Sequence, residues 1–401
     1  MNRIGILTFH RAINNGAVIQ CYSLSKRIKM DFPDSEVEVI DYNLPKEEES
    51  YSASLKNYYR DSSFKGFVFR TGSFMKDPLK LYRIKKRNNV FRSVLEYLPL
   101  SPDTILDNDF NSVFQYINER YDVLIVGSDA VWNFVSRGYP DAYLPDSFIS
   151  IPKLSYAASC YGMDYLEIGD EDKAKIKDSL NDFSFIGVRD NATENFVEWS
   201  GCIHSANHTC DPTAFLDVNC LPVDEALLKE KLEKKGFSFE RPSIGLMGNK
   251  QMFKMVKQLY GNDYQIVSLY NYIKGADVQL YDINPYEWAY VFRFFKFTIT
   301  TYFHGTMLSL RNGVPVICCA LNTEFAKKHV PKTLDLLSRL NFESWYFKTD
   351  YKDFGVSDIK SCADRFLQSD YSDVILSALN REAESYFCFK DALQKVINTQ
   401  I

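Results

Sequence analysis

The segment TTYFHGT, residues 300–306, contains the residue types best suited to chemistry in this chain. The chain has only five histidines, and His304 lies between two mostly apolar runs, with Gly305 directly after it. The first run predicts a strand and the second a helix, so the amides of Gly305 and Thr306 are expected at a helix N-terminus that can bind an anion. A histidine there could act as a general acid, or could simply bond a backbone carbonyl in a turn.

A second candidate site is GSDAVWN, residues 127–133, which follows an apolar run. Asp129 could take a proton from a hydroxyl nucleophile, and Trp132 could stack on the face of a sugar. The same pattern also fits an Asx turn or a helix N-cap with the tryptophan in the core. The local sequence leaves both interpretations open.

Two more loops carry suitable side chains. Arg189, in VRD, could bind a carboxylate or phosphate in a bidentate manner, or form a salt bridge with Asp190 or a neighbouring acid. In TFHRAINNGA, residues 8–17, His10, Asn15 and Gly16 precede a predicted helix, and the small residues permit close approach. The chain contains no GxGxxG, Walker A, HExxH or GxSxG sequence and no Cys/His zinc spacing, so no metal or dinucleotide site is predicted.

The elements that must position these residues alternate between strand and helix. Apolar runs predict strands at residues 3–9, 37–43, 121–127, 154–159 and 185–190, then at 243–249, 264–270, 296–300 and 314–319. A charged connection at about 220–242 separates the two series. We therefore expect an α/β protein with two Rossmann-like domains facing a cleft, over residues 1–225 and 240–360, and a helical tail over 361–401.

Composition and charge argue against several functions and locations for this protein. The net charge of −5 argues against nucleic-acid binding, and nine cysteines without a regular framework indicate reduced thiols in the cytoplasm. The N-terminus has no signal-peptide pattern, and no apolar stretch is long enough to span a bilayer. Residues 51–95 hold eleven Lys/Arg and two Asp/Glu with interspersed aromatics. This segment could contact the inner membrane face peripherally, or be a solvated excursion.

Six segments, in order along the chain, resemble the polysaccharide pyruvyl transferases. They are GILTFHRAINNGAVIQCYSL, YDVLIVGSDAVWN, LSYAAS, IGVRD, CDPTAFL and NPYEWAYVFRFFKFTITTYFHGTMLSLRNGVPVI. The resemblance implies a fold similar to the GT-B glycosyltransferases. It also implies that phosphoenolpyruvate (PEP) donates its pyruvyl group to two hydroxyls of a sugar in a surface or exopolysaccharide precursor. The products would be a cyclic ketal and phosphate, with no cofactor beyond PEP as the donor substrate.

The resemblance also assigns roles, with His304 and Asp129 as catalytic residues. The family's arginine matches Arg189, and we expect the donor to bind a larger set of residues around it, namely Arg189, Gly305, Thr306, Tyr302 and Phe303. We expect the acceptor, either a lipid-linked saccharide or a finished polymer, to face His10, Asn15, Gly16 and Trp132.

The chain departs from the family pattern at two positions. Studied members place an arginine where this chain has Tyr302, and many relatives have an aspartate where it has Thr301. Substitutes for the missing cation could be Arg189, Arg11, Lys250, Arg311 or Lys327. The alternatives are a GT-B-like glycosyltransferase that uses a nucleotide sugar and an inactive relative that binds a glycan.

Overall fold

The computed structural model describes residues 2–45, 77–106, 110–134, 138–139, 141–321, 330–349 and 355–399. Most of the basic segment predicted at 51–95 lies outside these residues, and only its part from residue 77 onward is described. Lys327 also lies outside them.

The first half of the chain forms a six-stranded, all-parallel sheet with the order β2-β1-β5-β6-β7-β8. Strands β3 and β4 make a separate parallel pair. The bounds are β1 (Arg3–Leu7), β2 (Glu36–Val39), β3 (Tyr42–Asn43), β4 (Ile105–Leu106), β5 (Val123–Val126), β6 (Lys153–Ala158), β7 (Phe183–Val188) and β8 (Asn207–His208).

The second half repeats this architecture with another six-stranded, all-parallel sheet, in the order β11-β10-β9-β12-β13-β14. Its strands are β9 (Ser243–Met247), β10 (Gln265–Ser268), β11 (Val278–Gln279), β12 (Phe297–Thr300), β13 (Val316–Leu321) and β14 (Tyr346–Thr349). The two Rossmann-like sheets predicted from the sequence are confirmed.

Helices connect the strands and cover the sheets. They are α1 (Asn15–Asp31), α2 (Lys80–Arg92), α3 (Phe110–Arg120), α4 (Asp170–Asn181), α5 (Asn191–Ser200), α6 (Glu225–Lys234), α7 (Lys250–Tyr260), α8 (Pro285–Tyr290), α9 (Phe303–Arg311), α10 (Lys332–Arg339), α11 (Val356–Gln368), α12 (Ser372–Ala383) and α13 (Tyr386–Thr399). Strands such as β5 and β6 are buried along their whole length, as expected for parallel sheets with both faces covered.

Three sets of contacts fix the two halves against each other. Helix α1 meets α8, where the rings of Tyr22 and Tyr286 lie 5.1 Å apart. Helix α13 packs on β7 of the first sheet, and Lys390 Nζ lies 2.7 Å from Asp31 Oδ1. Helix α2, which belongs to the first half by sequence, pairs with Asp282 of the second. The cleft between the carboxyl ends of the two sheets is therefore held from several sides.

Candidate active site

The carboxyl ends of the two sheets bring four ionisable side chains into one electrostatic cluster. Asp129 follows β5 and Arg189 follows β7, while His304 and Lys332 lie in the first turns of α9 and α10. Asp129, Arg189 and Lys332 all contribute to the shifted pKa of His304. The structure thus brings together His304, Asp129 and Arg189, three residues that the sequence placed at separate strand ends.

Arg189 is the most enclosed member of this cluster, with 1% of its side chain exposed. Its Nη1 donates to Asp211 Oδ2 at 3.0 Å, and its Nη2 lies 3.6 Å from Asp129 Oδ1. Burial alone would lower the pKa of Arg189, but Asp211 and Asp129 raise it. Its Nε and Nη2 are buried without a hydrogen-bond partner. Because unpaired buried donors are costly, these N–H groups are suited to a ligand's oxygens.

Asp190 does not take the pairing role that the sequence left open for it. Its carboxylate caps α5 by accepting from the Thr193 amide at 3.0 Å, and it also accepts from the Ser159 hydroxyl at 2.6 Å. The carboxylate bonded to Arg189 is instead Asp211, which also accepts from the Gln20 amide. Asp211 and Gln20 were both missed as site residues, although Asp211 lies in the CDPTAFL segment.

His304 is seated directly on the first turn of α1 in the other half of the molecule. A Cβ added to Gly16 would lie 2.1 Å from His304 Cγ, so only glycine leaves room for the imidazole. The ring is half-buried, and its Nδ1 is buried without a hydrogen-bond partner. Gly16, predicted to face the acceptor, therefore positions the histidine.

The pKa of His304 is lowered to about 4, first by burial and also by Lys332 and Arg189, against the opposing effect of Asp129 and Asp211. The imidazole is therefore neutral near pH 7 in the protein without ligand. A bound anion would offset the two cations and raise this pKa.

Asp129 adopts a left-handed backbone conformation, with φ of 76°. Such a conformation is strained for a residue other than glycine and is common at functional sites. Its Oδ1 accepts from the Ala130 amide at 2.8 Å. Burial alone would raise the pKa of Asp129, but Arg189, His304 and Lys332 together lower it. Asp129 is thus an ionised carboxylate and a weak base.

The ring of Phe303 lies close to both cations of the cluster. Arg189 Cζ is 4.8 Å from the ring centroid and Lys332 Nζ is 5.2 Å from it. The pKa of Lys332 is lowered, first by burial and then by Arg189. Lys332 was missed from the sequence. One available signal was its place in the first turn of a helix, where the macrodipole disfavours a cation unless an anion is near.

Of the two amides predicted to be free at the N-terminus of α9, one is bonded within the helix. The helix begins at Phe303, and the Thr306 amide donates to the Tyr302 carbonyl at 3.1 Å. The prediction that the Thr306 amide is free is therefore wrong, and the amides without an intrahelical acceptor are those of residues 303–305. A Cβ on Gly305 would lie 2.6 Å from Thr300 Oγ1, so this glycine lets α9 pack against the strand end.

Two residues predicted to bind the acceptor are inaccessible. Trp132 is 0% exposed, and its indole N–H donates to the Tyr143 carbonyl at 2.9 Å, so it offers no face to a sugar. His10 is also 0% exposed, and Asp41 Oδ1 lies 2.8 Å from its Nε2. The prediction that these two residues contact the acceptor is wrong, because both side chains are packed in the interior. Asn15 is buried in the first turn of α1, beside Gly16.

Tyr302 is 38% exposed and lines a cavity of about 700 Å³ together with Lys250. Its hydroxyl accepts from the Asn271 amide at 3.2 Å. Of the proposed substitutes for the missing arginine, Arg11 Nη2 donates to Asp41 at 2.6 Å, and Arg311 bonds the Leu216 carbonyl at the far end of α9. Neither supplies the missing charge at the α9 N-terminus.

Within the described ranges, no group of three His, Cys, Asp or Glu residues could hold a metal ion. None of the described helices combines the length and the apolar character that a bilayer span requires.

The fold as a whole is similar to that of UDP-N-acetylglucosamine 2-epimerases, which have the GT-B-type arrangement of two Rossmann-like domains. The chain is similar to a protein from Listeria monocytogenes described as a UDP-N-acetylglucosamine 2-epimerase, with a TM-score of 0.56 and 10% identity over 99% of this chain and 97% of that one. It is also similar to the UDP-GlcNAc 2-epimerase from Neisseria meningitidis bound to UDP-GlcNAc, with a TM-score of 0.53 and 10% identity over 98% and 100% of the two chains. At such low identity, these likenesses establish the fold.

Sequence identifies the family. The family model for polysaccharide pyruvyl transferases matches residues 14–323, and the chain belongs to that family. No curated protein matches the chain. The match includes the segments that contain Asp129, Arg189 and His304, whereas Lys332 lies beyond it.

Proposed function

We propose that this protein transfers the pyruvyl group of PEP to two hydroxyls of a saccharide, giving a cyclic ketal and phosphate. The observation that carries the proposal is the pair of cations, Arg189 and Lys332, that both lie close to the ring of Phe303, together with a histidine that has no hydrogen-bond partner on Nδ1. PEP has two anionic groups on one small carbon framework, and a site with two cations and free amides matches that charge.

The donor's anions are assigned to the cationic side of the cluster. Arg189 offers Nε and Nη2, which have no hydrogen-bond partner, and a planar guanidinium suits a carboxylate. Lys332 and the free amides at the start of α9 suit the phosphate. Lys332 thereby supplies positive charge that Tyr302 cannot, although it comes from a different helix.

His304 acts as the general acid. The bound donor raises the pKa of His304, so the imidazole takes up a proton and can deliver it to the methylene carbon of PEP or to the departing phosphate. Protonation of the methylene carbon makes C2 electrophilic, and one sugar hydroxyl attacks it. Phosphate then leaves, the second hydroxyl closes the ketal, and the two hydroxyl protons balance those taken up by the methyl group and the phosphate.

Asp129 faces the same cluster as an ionised carboxylate. It can accept a hydroxyl proton only weakly while it is paired with Arg189, so its main contribution is to stabilise positive charge that develops at C2 and on His304. A donor anion that draws Arg189 away would restore some basicity to Asp129, which is the role expected from the sequence.

The test is a calorimetric titration with PEP of the wild type and of the Arg189→Met and Lys332→Met variants. Hydrogen bonds to charged groups contribute roughly 1.5–3 kcal/mol, so each variant should weaken PEP binding about 10- to 100-fold. Lys254→Met removes an exposed lysine from the middle of α7 and is the matched control, with binding expected within twofold of the wild type. Absence of PEP binding in the wild type, with binding of UDP-N-acetylglucosamine instead, would favour a nucleotide-sugar glycosyltransferase.

A further inference from the structure

A pocket of about 430 Å³ lies at the opposite end of α9 from the candidate active site. It is lined by Arg311, the last residue of α9, by residues of α12 and by the chain around residues 217–219 and 293. His304 and Arg311 are two turns apart on α9, or about 10 Å along its axis. We call this cavity the α9–α12 pocket. Its volume is in the range of pockets that bind small molecules.

The α9–α12 pocket contains two guanidinium groups and one carboxylate. Arg293 and Arg311 line it, and neither forms an ion pair with a carboxylate of the described residues. Both carboxylate oxygens of Asp217 are engaged within their own turn, where they accept from the Asn219 amide at 2.9 Å and from the Cys220 thiol at 3.1 Å. The macrodipole of α9 favours one cation at its C-terminus, but it does not explain Arg293, which comes from the segment after α8. The pocket therefore has a net positive charge.

Arg293 is fixed in place and keeps a donor for a ligand. Its Cζ lies 3.7 Å from the centroid of the Tyr290 ring, and its Nη2 donates to Asn219 Oδ1 at 3.1 Å. Its Nε is buried without a hydrogen-bond partner. Because a buried donor without a partner is unfavourable, this N–H group is suited to an oxygen of a bound anion.

Arg311 is held in a similar way from the other side of the pocket. Its Nε donates to the Leu216 carbonyl, and its two Nη atoms have no hydrogen-bond partner among the described residues. Burial lowers the pKa of Arg311 and outweighs the opposing effect of Asp217. A guanidinium that is partly removed from water and lacks a counter-charge favours the binding of an anion, and its planar fork suits a phosphate.

The pocket also contains an acceptor that needs a donor. Asn312 lines it, and the amide nitrogen of its side chain donates to the Ala289 and Leu308 carbonyls at 3.1 and 2.8 Å. These bonds fix the orientation of the amide, and its Oδ1 is buried without a hydrogen-bond partner. The oxygens of an ionised phosphate ester only accept hydrogen bonds, so the ligand that completes the pocket needs a hydroxyl as well as a phosphate.

We propose that the α9–α12 pocket binds a small phosphate monoester that carries hydroxyl groups, such as a hexose phosphate. The phosphate is bound by Arg293 and Arg311, and a hydroxyl of the ligand donates to Asn312 Oδ1. A neutral sugar would leave both guanidinium groups without a counter-charge. The site is separate from the candidate active site, and its assignment does not depend on the proposed function.

The experiment is calorimetry on the full chain with three probes: glucose 6-phosphate, inorganic phosphate and glucose. The wild type is compared with Arg293→Gln and Arg311→Gln. Arg381→Gln is the matched control, because Arg381 is an exposed arginine of α12 that does not line the pocket. We expect each pocket variant to weaken binding of glucose 6-phosphate about 10- to 30-fold, and the control to stay within twofold of the wild type. Inorganic phosphate should bind about 5-fold more weakly than glucose 6-phosphate, and glucose should not bind.

A further variant tests the pocket without disturbing a structural contact. Arg311 also bonds the Leu216 carbonyl, so its replacement removes a contact within the fold. Asn380 is exposed and lines the same pocket, and Asn380→Asp adds a negative charge there. This variant should weaken binding of glucose 6-phosphate about 5-fold by charge repulsion, with an unchanged melting temperature.

The active-site variant Arg189→Met separates the two sites, because it should keep the binding of glucose 6-phosphate. The inference is overturned if the wild type does not bind this probe, or if Arg189→Met loses it while the two pocket variants retain it, because the phosphate would then occupy the candidate active site. Equal affinities for inorganic phosphate and glucose 6-phosphate, or unchanged binding in Asn380→Asp, would also contradict it. A wild type that binds glucose 6-phosphate through the pocket but does not bind PEP would contradict the proposed function alone.

Discussion

Two histidines follow parallel strands at the edge of the same cleft, and their surroundings are opposite. His10, in the loop after β1, has a hydrogen-bond partner on each nitrogen, with Asp41 Oδ1 at 2.8 Å and the Thr8 carbonyl at 3.2 Å. His304, in the turn after β12, has a buried Nδ1 without a partner. Both residues are histidines near a strand end, and only their neighbours differ.

The carboxylate beside His10 explains the contrast. Burial alone would raise the pKa of Asp41, but hydrogen bonds from Arg11, His10 and Thr104 lower it. The charged groups of that loop are paired with one another, so few of them are left to bind a ligand. The cluster around His304 instead keeps N–H groups of Arg189 without partners, which is unfavourable unless a ligand completes it. A satisfied network indicates a structural role, and an unsatisfied one indicates a binding site.

The largest expected effect is on the rate of turnover, which should depend on His304 and not on His10. His304→Gln removes the proton-transfer group while keeping a polar side chain, and should lower the rate of phosphate release from PEP and acceptor roughly 10²- to 10⁴-fold. The melting temperature should change little, because the buried Nδ1 makes no hydrogen bond that could be lost. A variant with near-normal turnover would remove His304 from the mechanism.

His10→Gln should show the reverse pattern. The substitution breaks a buried hydrogen bond to a charged carboxylate, so the free energy of unfolding in urea should fall by about 1–3 kcal/mol. Turnover per folded molecule should stay within a few-fold of the wild type, because His10 is fully buried. Loss of turnover without loss of stability would show that the loop after β1 takes part in the reaction.

The sequence predicted the strands that position the site better than the side-chain contacts within it. The apolar runs located β1, β5, β6 and β7 and most strands of the second sheet, because buried parallel strands are continuous hydrophobic segments. It missed the short edge strands β8, β11 and β14. Two of these have only two residues, too few for any periodic signal.

Within the site, residue type was a weaker guide than position. Arg189, Asp129 and His304 were found because each follows a strong strand. Trp132 was misplaced, because the sequence does not show whether an aromatic ring after a turn points into the core. Lys332 was missed because its contact with Phe303 joins two helices from separate strand connections. Such a juxtaposition is set by the packing of the sheet, and the one local signal was a lysine in the first turn of α10.

The smallest expected effect concerns the pH dependence of stability. The pKa of His304 falls from an ordinary value near 6.5 to about 4 in the folded protein, so folding favours the neutral imidazole. Above pH 6.5 both states are neutral and this contribution is complete. Between pH 6.5 and 4 the unfolded chain takes up the proton first, so the free energy of unfolding decreases as the pH falls.

The loss assigned to His304 over this range is about 1–3 kcal/mol, because one pKa unit corresponds to about 1.4 kcal/mol and the half-buried ring is partly screened by solvent. Urea unfolding at pH 7, 6, 5 and 4.5 should therefore show a shallower decline for His304→Gln than for the wild type. His10→Gln, which retains His304, should keep this part of the decline. Parallel profiles for the wild type and His304→Gln would mean that His304 titrates as it does in the unfolded chain. Its neutral state near pH 7 would then follow from its ordinary chemistry, and the cations around it would not contribute.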